Sequence, residues 1–400
     1  MVLRRGAILV LLSMWSLACG SKTRPVQSPV PEPDAGADHG PQVAPAPVVP
    51  VEPIRIGVYL PMTGPMGSFG SSALAGIELA VAEQNAAGGV RGATVEIVAL
   101  DTMGQPAATA AVVERLIEHD RVVALVGEVL SMNSLAGAAV AQAQGVPMIA
   151  PSATAVDVTR TGDRIFRACF IDAVQARAMA AFAREHLKVS RVAILTDEAQ
   201  AYSVGLASGF AAELRARGGT IVAEQRYQTG NTDPKALMAI KAARPEAIYV
   251  PGYYADVGTV AVQLRKIGVA VPLLGGDGWD SAELTMIAGS AIDGSYYTSQ
   301  FAVDDPRAVS QAFVARFQEG SGTPPDSLAA LGYDAVRIVL AAMARSPSLD
   351  RADLAEAMAA TRLDGVTGPL TFDGDRDPIK PVAVLRFESG RPRLAATIGP

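Results

Sequence analysis

Val146-Pro-Met-Ile-Ala150, running into Pro151-Ser-Ala-Thr154, is the stretch on which the fold turns. A short apolar run bounded by turn residues reads as a buried strand. It stops abruptly in a proline and three small residues, two of which carry hydroxyls. In open parallel α/β sheets, ligands sit in the crevice beyond the carboxyl ends of the strands. A strand ending in Pro-Ser-Ala-Thr offers that crevice hydroxyls and backbone N–H groups without bulk. Such a corner suits a small anionic group.

On either side of this stretch the chain alternates between strand and helix. Upstream, residues 54–60, 94–100 and 121–127 read as strands, with helices over 71–87, 106–120 and 133–144. In the first helix Leu74, Ile77 and Val81 share one face, and Gly88-Gly89 stops it. Downstream, strands over 191–196, 220–225, 247–251 and 271–274 alternate with helices over 173–188, 204–217, 234–243 and 256–267. Helices over 306–318 and 327–344 and a strand-like 382–387 complete the pattern. Two consecutive series of this kind imply right-handed βαβ units and two parallel sheets. The expected architecture is α/β, with two Rossmann-like lobes facing each other across a cleft.

At 400 residues the chain is too long for one ordinary core, which agrees with two lobes. Its net charge of −6, with no basic run beyond the extreme N-terminus, argues against nucleic acid as a partner. His39, His119 and His186 are far apart, and neither HExxH nor CxxC occurs, so no metal site is expected.

Residues 1–18 have the layout of an export signal: Arg4 and Arg5, then an apolar core over 7–12 too short to span a membrane. Ser16-Leu-Ala-Cys19-Gly resembles a bacterial lipobox, with Ser16 where leucine is usual. Lipidation of Cys19 and ordinary cleavage after Ala18 both fit the sequence. Residues 19–53 are proline-rich and aperiodic, the composition of a semi-rigid extended spacer that would tether a globular body to a membrane surface. Cys169, between Phe166, Ala168 and Phe170, is expected as a buried thiol.

No sequence motif names a catalyst. Gly64-Pro-Met-Gly67-Ser-Phe-Gly70 stands where a dinucleotide loop would, but Met66 occupies the place of the second glycine of GxGxxG. No cofactor is expected, and the loop reads instead as presenting Phe69 to the cleft. GxxxxGK[ST] and GxSxG are absent, and no nucleophile is paired with a base at readable spacing. These absences leave catalysis without a named candidate.

What remains is a set of polar and aromatic residues at strand ends: Ser131, Ser152, Thr154, Tyr202, Tyr253, and Asp277 in Gly275-Gly-Asp-Gly-Trp-Asp-Ser281. Hydroxyls and helix N-terminal N–H groups suit an anion. An acid in the opposite lobe suits a cation, and aromatic rings can wall the apolar part of a ligand. Taken singly, each could equally serve a turn or a cap; Asp280 and Ser281 in particular read as N-caps.

Four segments together make the chain resemble the periplasmic solute-binding proteins of the leucine/isoleucine/valine-binding family, the capture components of ABC importers. They are Ile56-Gly-Val-Tyr-Leu-Pro-Met-Thr-Gly-Pro65, Ile77-Glu-Leu-Ala80 with Asn85-Ala-Ala-Gly-Gly-Val90, the 146–154 stretch, and 275–281. The resemblance implies a three-crossover hinge, with lobe 1 from 54–170 and 300–375, and lobe 2 from 171–299 and 376–400. It implies that Ser131 and Thr154 hold a ligand carboxylate, and that the Ser152 carbonyl and Asp277 take its ammonium. Several relatives carry glutamate where this chain has the shorter Asp277. Phe69, Tyr202 and Tyr253 match the family's aromatic positions.

The implied protein is a monomeric, membrane-tethered binder on the periplasmic or cell-surface side. It would capture an amino acid, branched-chain ones among the candidates, for an inner-membrane ABC permease, and as a non-enzyme it would do no chemistry. The alternative kept open is a sensor for an amide or small organic acid, working with a separate receptor.

Overall fold

The computed structural model describes residues 52–399; the expected signal peptide, Cys19 and all but the last two residues of the 19–53 spacer lie outside the described residues. In chain order, the first series is β1 (Ile54–Leu60), α1 (Gly67–Ala86), β2 (Val95–Asp101), α2 (Pro106–Glu118), β3 (Ala124–Gly127), α3 (Ser131–Ala143), β4 (Met148–Ala150), α4 (Asp157–Arg160) and β5 (Ile165–Arg167). The second is α5 (Asp172–Glu185), β6 (Arg191–Asp197), α6 (Ala201–Ala216), β7 (Thr220–Tyr227), α7 (Pro234–Ala242), β8 (Ala247–Tyr249), α8 (Tyr254–Lys266), β9 (Leu273–Gly275), α9 (Ala282–Ala288) and β10 (Tyr296–Ser299). The chain then runs through α10 (Ala308–Ser321), α11 (Ser327–Arg345), α12 (Arg351–Ala359), β11 (Arg362–Gly365), β12 (Gly368–Thr371), β13 (Val382–Glu388) and β14 (Arg391–Ile398).

The first sheet is wholly parallel, in the order β2-β1-β3-β4-β5. Ile56 lies opposite both Ile97 and Ala124, and Ile149 opposite Phe166. Helices cover both faces, so β3 and β4 are apolar throughout rather than alternating. The second sheet, in the order β14-β13-β10-β9-β8-β6-β7, departs from the all-parallel expectation. Its five strands from β10 to β7 are parallel, but β13 and β14 pair antiparallel at one edge. β13 enters from the third passage beside the end of β10, Ala383 opposite Ser299, and so runs back antiparallel to it, while the tight turn at Ser389-Gly390, where Glu388 pairs with Arg391, makes β14 antiparallel to β13.

Four helices, α1, α3, α6 and α8, start two to four residues earlier than their apolar patterns indicate. α1 begins at Gly67, which places Phe69 in its first turn rather than in a loop, and α3 begins at Ser131. β5 and β10 escape the sequence reading because runs of three and four residues carry no period.

α1 packs against α11 closely enough that a β-carbon on Gly76 would stand 1.9 Å from the Ala329 carbonyl oxygen. Only glycine permits that approach. α11 is long and apolar enough to cross a membrane by composition, yet most of it is buried in the first lobe's helix layer.

The chain passes between the sheets three times: after β5, after β10, and between β12 and β13. Side chains stitch these passages together. Gln300 Oε1 accepts from the Phe170 N–H at 3.2 Å. The buried Lys380 ammonium donates to the Ala168 carbonyl at 2.8 Å and to Thr367 Oγ1 at 2.6 Å. Arg167 pairs with Asp377 at 2.6 Å. Burial pulls Lys380 down to about 8. Cys169 is a free, buried thiol on the first passage, as expected, and burial pushes it up to about 12.

Candidate functional site

All seven residues singled out for a ligand line one cleft between the sheets, with about 320 Å³ of space among Phe69, Ser131, Ser152, Thr154, Tyr202, Tyr253 and Asp277. They arrive on the carboxyl ends of β1, β3 and β4 from one side and of β6, β8 and β9 from the other. The topology that set the strands parallel therefore also set the site.

On the first lobe, two turns are cross-bonded. Ser152 Oγ donates to the Val129 carbonyl at 3.1 Å, and Ser131 Oγ accepts from the Ala155 N–H at 3.3 Å. The α3 start has no side-chain cap, so Ser131 stands at a helix N-terminus with N–H groups aimed at the cleft.

Beneath it sits Glu128, which the sequence reading passed over. Its carboxylate accepts from Thr102 Oγ1 at 2.7 Å, Asn133 Nδ2 at 2.9 Å and the Leu130 N–H at 2.6 Å. Burial pushes Glu128 up to about 7, although these donors oppose the shift. Its role is to hold the Ser131 turn in place. A lone glutamate before Val-Leu-Ser gives no sequence signal of that.

On the second lobe, Asp277 opens a 3₁₀ turn after β9, over Trp279, whose indole N–H donates to the Val250 carbonyl at 3.0 Å. Asp277 Oδ1 accepts from Tyr202 OH at 2.9 Å and from Gln175 Nε2 at 3.0 Å. Tyr202 OH in turn accepts from the Gly278 N–H at 2.9 Å. A β-carbon on Gly276 would lie 2.5 Å from the Tyr202 hydroxyl and 3.1 Å from Gln175 Oε1, which explains a glycine there. Burial pushes Asp277 up to about 6, against the pull of Gln175, Tyr202 and Gln300. Gln300 therefore stands near the carboxylate, although its amide nitrogen has no partner at hydrogen-bonding geometry. Gln175 and Gln300 lie on the passages between sheets, where no strand-end rule would have sought them.

The cleft's apolar wall is Phe69, Val129, Leu328 and Leu331, with Tyr253 stacked on Tyr202 at 5.0 Å between ring centres. Leu328 and Leu331 belong to α11, whose sequence does not distinguish them from core residues. Of the two expected caps, Ser281 does cap α9, accepting from the Glu283 N–H at 3.1 Å. Asp280 does not. It is buried and accepts from Tyr297 OH at 3.2 Å and Ser299 Oγ at 3.0 Å, because the α9 cap falls one residue later.

The lobes touch across the cleft mouth. Tyr254 OH donates to the Pro65 carbonyl and accepts from Ser68 Oγ at 2.9 Å, while the Phe69 ring lies 5.0 Å from that of Tyr254 and 6.2 Å from that of Tyr253.

Two parallel-sheet lobes, three passages and a cleft at the strand ends define a two-lobed binding protein of the type I periplasmic class. The Periplasmic binding protein family model matches residues 53–392, and the chain belongs to that family, whose members are solute-binding proteins rather than enzymes.

Among relatives, the Leu/Ile/Val-binding protein homolog 3 of Brucella melitensis is 30% identical, over 84% of this chain and 92% of its own length. The leucine-binding protein LivK of Thermotoga maritima superposes with a TM-score of 0.82 at 36% identity, covering 87% of this chain and 99% of its own. LivJ of Streptococcus pneumoniae, a branched-chain amino acid transporter substrate-binding protein solved with isoleucine, gives 0.83 at 31% identity, covering 87% of this chain and 100% of its own.

Proposed function

We propose that this protein captures an α-amino acid with an aliphatic side chain in the interlobe cleft and delivers it to an ABC permease. The observation that carries this reading is the opposition of two chemistries across one small cleft. Uncharged hydroxyls and helix N–H groups stand on one lobe, and a buried carboxylate on the other. Ser131 and Thr154 would take the ligand carboxylate; the Ser152 carbonyl and Asp277 would take its ammonium. Phe69, Tyr202, Tyr253, Leu328 and Leu331 would enclose the side chain. The bonds across the mouth suit a closed state that ligand favours by touching both lobes.

Isothermal titration against leucine, isoleucine, valine and their α-keto acids tests the assignment. The amino acids should bind and the keto acids, lacking the ammonium, should not. Equal binding of an amino acid and its keto acid would sink it. The protein would act as a monomer on the periplasmic or cell-surface side, released from an export signal at residues 1–18 and held by lipid on Cys19. The support for the anchor is the Ser16-Leu-Ala-Cys19 run followed by the proline-rich spacer. Labelled palmitate should enter the wild type and not Cys19→Ser; absence of label from both would remove the anchor.

A further inference from the structure

Behind Asp277 lies a second buried acid, Asp172, at the first residue of α5. The two carboxylates share one neutral donor group. Gln175 Nε2 stands 3.0 Å from Asp172 Oδ1 and 3.0 Å from Asp277 Oδ1. The orientation of that amide is dictated by its other end, because Oε1 accepts from Thr298 Oγ1 at 2.8 Å and from the Asp277 N–H at 3.2 Å. Gln175, Asp277 and Thr298 lie on elements of the second lobe, and Asp172, where α5 leaves the first passage, is also tied to the first lobe, its N–H donating to the Thr154 carbonyl at 2.9 Å.

No cation serves this pair. Among the described residues, no lysine, arginine or histidine side chain donates to either carboxylate. The groups facing them are Thr154 from the β4–α4 turn, Tyr202 from α6, Tyr249 from β8, Tyr253 ahead of α8, and Gln300 after β10. Cys169 also lies near Asp277 and is itself protonated. Gly205 of α6 adds no side chain beside Asp172 Oδ2. Arg167 is the one nearby cation, and its guanidinium is committed elsewhere. It pairs with Asp377 at 2.6 Å and donates to the carbonyls of Ala153 at 2.7 Å and Ala155 at 2.9 Å.

Two like charges on one neutral amide, both out of water, cannot both ionise at little cost; one proton shared between them relieves the repulsion. We infer that Asp172 and Asp277 form a proton-sharing acid pair, and that arrival of a ligand's cationic group against Asp277 expels that proton. Asp172 is thus a positioning residue acting through Asp277. It makes capture proton-linked, with affinity rising with pH until the ligand-free pair is fully ionised. Burial, followed for Asp172 by the charge of Asp277, pushes Asp172 up to about 7 and Asp277 up to about 6, so the linkage falls between mildly acidic and neutral pH. The inference rests on the amino-acid reading of the cleft.

The test is titration of the intact protein with L-leucine in paired buffers of different ionisation enthalpy. At pH 6, roughly one proton should be released per leucine bound, falling towards zero by pH 8. Asp172→Asn, which keeps the acceptor for Gln175, should release less than half as much at pH 6 and show a flatter dependence of affinity on pH. Heats at pH 6 that are the same in both buffers, or undiminished release from the variant, would overturn the pair. Carboxyl NMR of ¹³C-aspartate protein without ligand reads the pair separately. A resonance titrating between pH 5.5 and 7.5 and lost in Asp172→Asn supports it, and all aspartates titrating below pH 5 refute it. Failure of every amino acid to bind, with that resonance present, would instead count against the proposed function.

Discussion

The two walls of the cleft solve opposite electrostatic problems by different means. The first lobe offers Ser131, Ser152 and Thr154, no charge, and the N-terminus of α3. The second offers Asp277 backed by Asp172, with Gln175 and Tyr202 as neutral props. Dipoles that are fixed by cross-bonded turns can receive an anion without burying a counter-charge of their own. A cation needs a full opposite charge, and that charge must be kept buried before the ligand arrives. On the proposed assignment, the cation side sets its titratable acids against the ligand itself, whereas the acid of the anion side, Glu128, lies beneath the Ser131 turn.

Five substitutions would break or sharpen this contrast. Asp277→Ala removes the one charge proposed to face the ligand; truncating one partner of a buried charge pair costs about 2–5 kcal/mol, so leucine affinity should fall about 30-fold or more by calorimetry. A loss under threefold would dissolve the contrast. Thr154→Ala or Ser131→Ala each deletes one hydroxyl proposed to bond the ligand carboxylate, costing about 1.5–3 kcal/mol, so affinity should fall at least tenfold. A loss under threefold from either would contradict the dipole account.

The next effect concerns stability. An acid whose folded pKa lies near 7, against about 3.9 unfolded, holds its proton more tightly in the folded state. Stability then falls as pH rises through that interval and is lowest above it. Without ligand, Asp172→Asn should therefore melt a few degrees above the wild type at pH 8, and this advantage should vanish towards pH 4. A variant no more stable at pH 8 would leave Asp172 without an electrostatic cost. The smallest effect belongs to the cleft mouth. Tyr254→Phe removes one hydroxyl that bonds Pro65 and Ser68, a net loss of about 0.5–1.5 kcal/mol, and should speed leucine release in stopped-flow about two- to tenfold.

Much of the first wall was legible in the sequence, and less of the second. Pro151-Ser-Ala-Thr154 announces itself because a buried strand ends in small hydroxyl residues, and the parallel pattern then says where such ends converge. Asp277 is legible because it follows Gly-Gly after a strand. Its supports are not. Asp172 and Gln175 sit in the first turn of an ordinary amphipathic helix, and Gln300 on a passage without a period. Glu128 resembles any surface acid until three donors are seen to converge on it. Leu328 and Leu331 look like core, because a helix that packs on α1 and lines a cleft uses the same residues for both. The 382–387 strand was legible and forms β13, but neither its antiparallel direction nor its hairpin partner β14 follows from an apolar pattern.

The contact of Gly76 with Ala329 bears on how the chain reaches this form. Its two helices come from near the beginning and near the end of the sequence, so the first lobe cannot be finished until almost all of the polypeptide has been made. During synthesis the apolar face of α1 must wait uncovered while the stretch from α5 to β10 of the second lobe is made, a long-range closure of the kind that slows folding and favours self-association. Pulse-labelled hydrogen exchange during refolding would register this as late protection of α1 and α11 together, after the sheet of the second lobe.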